Sequence, residues 1–176
     1  MKTRMTIRNR IRKQYVRLLC RLGWAIDIGT VSRNPASSLL SNFTPFRFTF
    51  RGKDFMSIES LLQGLKAKDI DKQNSIFSKV GKAVWRQGRK CKWWKEQRLY
   101  WQGHPMERMP AEYRNFIREA FYALAENTDY RQVLLSTGRK TLYHTIGKSD
   151  PTKTILTEEE FCTILTEIRT KLQTEK

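Results

Sequence analysis

Long apolar runs are missing from this sequence: nothing in it approaches the ~18 residues of a membrane span. The first residues are basic but include no continuous apolar segment and no small-residue cleavage site, so a secretory signal is not expected. Cysteine is scarce and poorly placed for bridging. Cys20, Cys91 and Cys162 stand far apart, odd in number and without a Cys-x-x-Cys pair. Only His104 and His144 are there to join them. A disulfide framework and a structural zinc site are both unexpected, and a reducing cytosol is the default. No metal and no cofactor is read from the residues. Acid is the last shortage. Seventeen Asp and Glu face 34 Lys and Arg, which leaves a net charge of +17. That excess is a statement about partners, not about fold. Nucleic acid is the first candidate, an anionic small substrate the second, and a merely soluble basic surface the third.

What remains is enough for one domain of ordinary size, 176 residues with 39% hydrophobic content. Residues 1 to 22 carry eight basic groups and no acid. Within them Ile11, Tyr15, Leu18, Leu19 and Leu22 recur at helical spacing, the mark of an amphipathic helix with a basic back. This segment, residues 1–31, reads as an extension to the domain. Three readings of it stand open: packing on the domain with its basic face solvated, lying on nucleic-acid or lipid phosphates, or contacting a partner. Packing is the simplest. Residues 32 to 41 read as a loop. Phe46, Phe48 and Phe50 alternate as a half-buried strand, a turn follows at Arg51-Gly52-Lys53-Asp54, and Phe55 starts a short return strand.

Ser57 is placed as the N-cap of the next helix, with Met56 and Leu61 as a hydrophobic staple. In that helix Glu59, Gln63 and Lys66 fall on one narrow polar stripe, and Ile58, Leu61, Leu62 and Leu65 on the adjoining side. A carboxylate, an amide and an amine can thus be aimed together at a ligand. Further on, Lys79 to Arg98 holds eight basic residues and one acid, with Trp85, Trp93, Trp94, Tyr100 and Trp101 in or beside them. Lys and Arg neutralise phosphates and aromatic rings stack on exposed bases. Arg86, Arg89, Lys92, Trp93 and Trp94 are therefore the nucleic-acid candidates, DNA or RNA, against the alternative that the tryptophans are core. Adjacent Trp93 and Trp94 cannot both face inward on a regular element. Tyr113, Phe116, Ile117, Ala120, Phe121 and Leu124 form a helical stripe, and a later helix ends at Gly138. Thr157 with Glu160 is a capping box that opens a last helix through Phe161, Ile164, Leu165, Ile168 and Leu172. The sum is α+β and predominantly helical, with a small β element near residues 46–56.

Several segments, taken in order, resemble the NADAR family, also called YbiA-like. They are Ser41-Asn42-Phe43 before a strand, Gly52-Lys53, then Ser57-x-Glu59-x-x-x-Gln63-x-x-Lys66. Lys79-Val80-Gly81-Lys82 is similar to the family's Lys-x-Gly-Arg element, and Leu134-Leu135-Ser136-Thr137-Gly138 to its Leu-Leu-x-Thr-Gly segment. The resemblance spans roughly residues 39–172 and implies a YbiA-like single domain. It also implies hydrolysis of N-glycosidic bonds, in riboflavin-intermediate phosphoribosylamines or in guanine bases carrying ADP-ribose. The chain departs from the family in four places. Lys82 replaces an Arg, His144 stands where an acid is usual, nothing matches the Asp-x-x-Trp-Gly element, and Glu160-Phe161-Cys162 replaces a Gly-x-x-Leu helix start.

Cleaving a ribose–nitrogen bond passes through an oxocarbenium-like state. It needs negative charge near the anomeric carbon, an activated water and a proton for the leaving nitrogen. The resemblance gives the first two tasks to Glu59 and the proton to Lys66, whose amine, with its pKa depressed, also suits a Schiff base with an opened ribose. Gln63 would hold a hydroxyl or base edge, Lys82 a phosphate, and Asn42 would orient ligand or brace its loop. On spacing alone, Glu and Lys at helical intervals more often form a solvated face. The reading is an N-glycosidase-like hydrolase of an ADP-ribosylated or otherwise ribosylated base, free or within nucleic acid, binding an ADP-ribose-like or phosphoribosyl ligand. Its rivals are a catalytically degenerate nucleic-acid or nucleotide-binding module and a glycosidase of riboflavin intermediates. The expected location is cytoplasmic, in the host if the chain is phage-encoded, and the oligomeric state is left open.

Overall fold

The computed structural model describes residues 7–175. Lys2 and Arg4 of the basic N-terminal stretch lie outside them. The first helix, α1 (Ile7–Arg21), forms as the spacing predicts, but it sits the other way round from the packing expectation. Val16 is its only buried residue, and Ile11, Tyr15, Leu18 and Leu22 are exposed. The reason is local. β1 (Ala25–Asp27), the element α1 lies on, is a short fully buried strand, and it accepts the narrow side of the helix through Val16. Arg12 of α1 is tied to Glu158 by a 2.5 Å ion pair.

The stretch expected to be a loop contains a five-residue helix, α2 (Pro35–Leu39). Asn34 caps it by accepting from the Ala36 N–H, and Pro35 takes the first helical position, where its missing N–H costs nothing. The segment that reads as a loop thus contains a helix start. β2 (Phe48–Phe50) and β3 (Lys53–Phe55) form the expected hairpin, paired Phe48 to Phe55. Arg51 and Gly52 both adopt positive φ, as a two-residue hairpin turn requires.

α3 (Ile58–Gly64) follows, then α4 (Ile70–Phe77), α5 (Gly81–Gly88) and a 3-10 turn at Trp93–Lys95. β4 (Arg98–Trp101) and β5 (His104–Glu107) make a second hairpin that the sequence reading lacked. Its turn, Gln102-Gly103, again has positive φ at both residues. The remaining elements are α6 (Ala111–Leu124), α7 (Thr128–Ser136), β6 (Thr141–Tyr143) and α8 (Glu158–Thr174). β6 pairs in parallel with β1, Ile26 beside Leu142, and closes the N-terminal end of the chain onto its last third. Gly138 has positive φ just after α7, and Thr157 with Glu160 forms the expected capping box of α8.

A main core of aliphatic and aromatic side chains joins most of these pieces, and a small second cluster of Ala67, Ile76 and Val84 lies between α4 and α5. Phe50, Phe55, Phe77, Trp101 and Phe116 pack ring to ring at centroid separations of 4.5 to 6.4 Å. A buried polar strut crosses it. Arg108 donates to Glu160 at 2.6 Å and to the Thr154 carbonyl at 3.0 Å, and Tyr113 donates to the Ile155 carbonyl. The architecture is α+β and predominantly helical, with small two-stranded sheets.

Candidate active site

α3 is short, and every residue of it is buried. Ser57 caps it from an extended backbone, accepting from the Ser60 N–H at 3.2 Å, while the Ser57 N–H donates back to Ser60 Oγ. The next free N–H, that of Glu59, donates to the Asn42 carbonyl at 3.0 Å. The Ser41-Asn42-Phe43 loop is thereby fixed against the first turn of α3. Asn42 Oδ1 is itself buried without a hydrogen-bond partner.

The polar stripe of α3 is not solvated. Glu59 is 7% exposed and Gln63 6%. Gln63 Nε2 donates to Glu59 Oε1 at 2.6 Å, and Lys66 Nζ donates to Gln63 Oε1 at 2.7 Å. A carboxylate accepts only and an ammonium donates only, so the two ends fix which way the amide points. Lys66 lies just past the helix, in a turn closed by its own N–H on the Gln63 carbonyl. Burial pushes the Glu59 carboxyl above its usual range, against the hydrogen bond from Gln63 and the charge of Lys66. Burial also lowers the Lys66 amine to about 8. Glu59 and, more weakly, Cys91 oppose that fall, and the charge of Lys148 adds to it.

Two features hold the relay that sequence reasoning missed. Gly88, at the end of α5, lies against Gln63. A Cβ there would collide with Gln63 Oε1, so only glycine allows α5 to cross α3 this closely. Gln73 on α4 is fully buried. Its amide nitrogen reaches the carbonyls of Gly64, Ala67 and Tyr100, and its oxygen accepts from the Gln102 N–H at 2.8 Å. It ties off the carbonyl end of α3, whose last groups have no partner within the helix. The Tyr100 N–H completes this by donating to the Leu65 carbonyl at 2.7 Å. A glutamine in a weakly patterned helix carries no signal of such a role.

The other expected site residues are dispersed. Lys82 is exposed on the first turn of α5, roughly 9 Å along the axis from Gly88 at 1.5 Å per residue. Val80 offers no capping side chain, so the first N–H groups of α5 lack a side-chain acceptor there. Arg86 and Lys92 are exposed, and Arg89 lies over the Trp85 ring at 4.3 Å. Trp94 is 47% exposed, but Trp93 is 7% exposed and part of the core. The placement corrects the expectation for Trp93: its ring is not on a surface where a base would stack. His144 is a brace, its ring nitrogen 2.8 Å from the Ile28 carbonyl and its ring edge-on to Phe161. No cluster of His, Cys, Asp and Glu able to hold a metal occurs among the described residues.

The chain is 34% identical over 140 residues to a 17.1 kDa protein of the Gp30-rIII intergenic region of Enterobacteria phage T4, covering 77% of this chain and 91% of that one. In structure it is similar to the Escherichia coli protein YbiA, solved by NMR, with a TM-score of 0.57 at 18% identity over 86% of this chain and 87% of the other. The fold is thus YbiA-like, as the ordered motifs predict. The profile of the family described as bacteriophage protein GP30.3 matches residues 33–170, and the chain belongs to that family.

Proposed function

We propose that the protein is an N-glycosidase-like hydrolase acting on an ADP-ribosylated or otherwise ribosylated base. The observation that carries this reading is the buried relay Glu59–Gln63–Lys66. Its acid is held above its ordinary pKa and its amine below. Titratable groups brought toward neutral pH from both sides in this way are what acid–base chemistry near neutral pH needs. Both are removed from water at a cost in stability, which a merely solvated charge pair would not carry.

In this reading the Glu59 carboxylate faces the anomeric carbon and takes a proton from the attacking water. The Lys66 ammonium delivers a proton to the departing nitrogen, and Gln63 keeps the two at fixed separation while holding a hydroxyl or base edge. Asn42 lines the same end of α3, with its unpaired Oδ1 as an acceptor for a ligand hydroxyl. Lys82, exposed on the first turn of α5, would take a phosphate of an ADP-ribose-like ligand. Arg86, Arg89, Lys92 and Trp94 extend that side for a nucleic-acid substrate.

The degenerate binding module is the second reading, favoured by the lysine in the segment where the resemblance would place Asp-x-x-Trp-Gly. Lys148 brings positive charge toward Lys66 rather than a carboxylate. Incubation with ADP-ribosylated DNA, ADP-ribose derivatives and ribosylaminopyrimidine phosphates, followed by mass spectrometry, separates the readings. Released base or sugar supports the hydrolase. Salt-sensitive binding with every substrate intact supports the module instead.

A further inference from the structure

The outward side of α1 is the feature that the proposed reaction does not use. Ile7, Ile11, Tyr15, Leu18 and Leu22 fall within roughly 80° of arc at 3.6 residues per turn. Their exposures run from 51% at Leu22 to 76% at Ile7. This is one continuous apolar stripe, and Trp24 stands exposed just beyond it. Basic residues border it on both sides, Arg8 along one edge and Arg10, Arg17 and Arg21 along the other. From Ile7 to Leu22 there is no Asp or Glu. The basic edge continues off the helix. A groove of about 1290 Å³ beside α1 is lined by Lys13, Arg17, Arg21, Arg33 and Lys140. Its floor acid, Asp27, is already bonded to Thr145.

We infer that this face docks on an anionic phospholipid surface. Charge complementarity selects the occupant. A second copy of the chain would set one arginine-bordered stripe against another, with no acid on either to offset the repulsion. A nucleic-acid backbone would meet the basic edges but leave the apolar stripe in water. An anionic bilayer supplies both partners at once: acyl boundary for Ile11, Leu18 and Leu22, and headgroup phosphates for the flanking arginines. The geometry agrees. Val16 and the Arg12–Glu158 pair hold the opposite side of α1 on the domain, so the helix presents one shallow arc, suited to a flat surface. With 15 residues, charged and apolar ones intermixed, α1 is too short and too polar to cross a bilayer and would lie on it.

The test is co-sedimentation of the full chain with vesicles of phosphatidylcholine alone and of phosphatidylcholine mixed with phosphatidylserine. Binding to the mixed vesicles, weaker at high salt, is expected. The double variant Ile11→Asp with Leu18→Asp is expected to weaken it by at least about tenfold, and Arg10→Gln with Arg17→Gln by a similar factor. These side chains are exposed, and circular dichroism checks that each variant is folded. Three results would overturn the inference. One is the absence of binding to mixed vesicles. Another is equal binding by the folded variants. The third is a dimer in analytical ultracentrifugation that the Ile11→Asp, Leu18→Asp pair abolishes.

Discussion

Glu59, Gln63 and Lys66 are placed where ordinary surface residues are not, and their titration makes that testable. The folded pKa of Lys66 is about 8, below its ordinary 10.5. The folded protein therefore binds fewer protons than the unfolded chain between those values, and stability rises with pH across that window. Thermal melts of the wild type between pH 8 and 10.5 are expected to show this rise, and those of Lys66→Met to lack it. Glu59 has the opposite sign. Its raised pKa favours the folded state at low pH and disfavours it as the carboxyl ionises. A melting series from acid to neutral pH is expected to slope less in Glu59→Gln than in the wild type. If Lys66 is the general acid, turnover falls as pH rises through about 8. If its amine attacks an opened ribose, turnover rises through the same value, and borohydride traps the adduct. The polar stripe itself was legible in the sequence because its spacing is helical. Its burial was not, since a stripe of Glu, Gln and Lys reads the same on a solvated helix.

At the scale of elements, the site depends on two close packings. Gly88→Ala forces a methyl group into the Gln63 amide and is expected to cost about 1–3 kcal/mol, with loss of any activity the relay supports. Gln73→Leu strips partners from the buried carbonyls of Gly64, Ala67 and Tyr100. It is expected to cost at least about 1–3 kcal/mol in urea denaturation, the usual cost of one unsatisfied buried group. The caps at Ser57 and Thr157 and the Phe48–Phe55 hairpin were readable because capping and alternation are local patterns. β1, β6 and the β4–β5 hairpin were not. None of these short strands carries an alternating aromatic run like Phe46, Phe48 and Phe50, and Pro105 within β5 reads as a break. α1 shows the complementary failure. Its period was correct, but which side packs is decided by β1, which accepts the narrow side through Val16 and leaves the broader apolar one outside.

Across the whole molecule, the buried relay, the basic side of α5 and the apolar arc of α1 are built on different elements. The Arg108–Glu160 pair, its arginine buried and its carboxylate partly exposed, joins the end of β5 to α8. Arg108→Met is expected to lower stability by about 1–3 kcal/mol, because the Thr154 carbonyl loses its donor and Glu160 keeps one hydrogen bond where it had two. That loss is expected to leave the Lys66 titration in place, as the two sites share no side chain. The family match and the YbiA-like fold each extend over most of the chain. The most direct measurement is mass spectrometry of an oligonucleotide carrying ADP-ribosylated guanine after incubation with wild type, Glu59→Gln and Lys66→Ala, each checked for native circular dichroism. Free ADP-ribose with the wild type, and a loss of at least about a hundredfold in both variants, is the expected result. Cleavage at wild-type rate by both folded variants would contradict the roles assigned to Glu59 and Lys66.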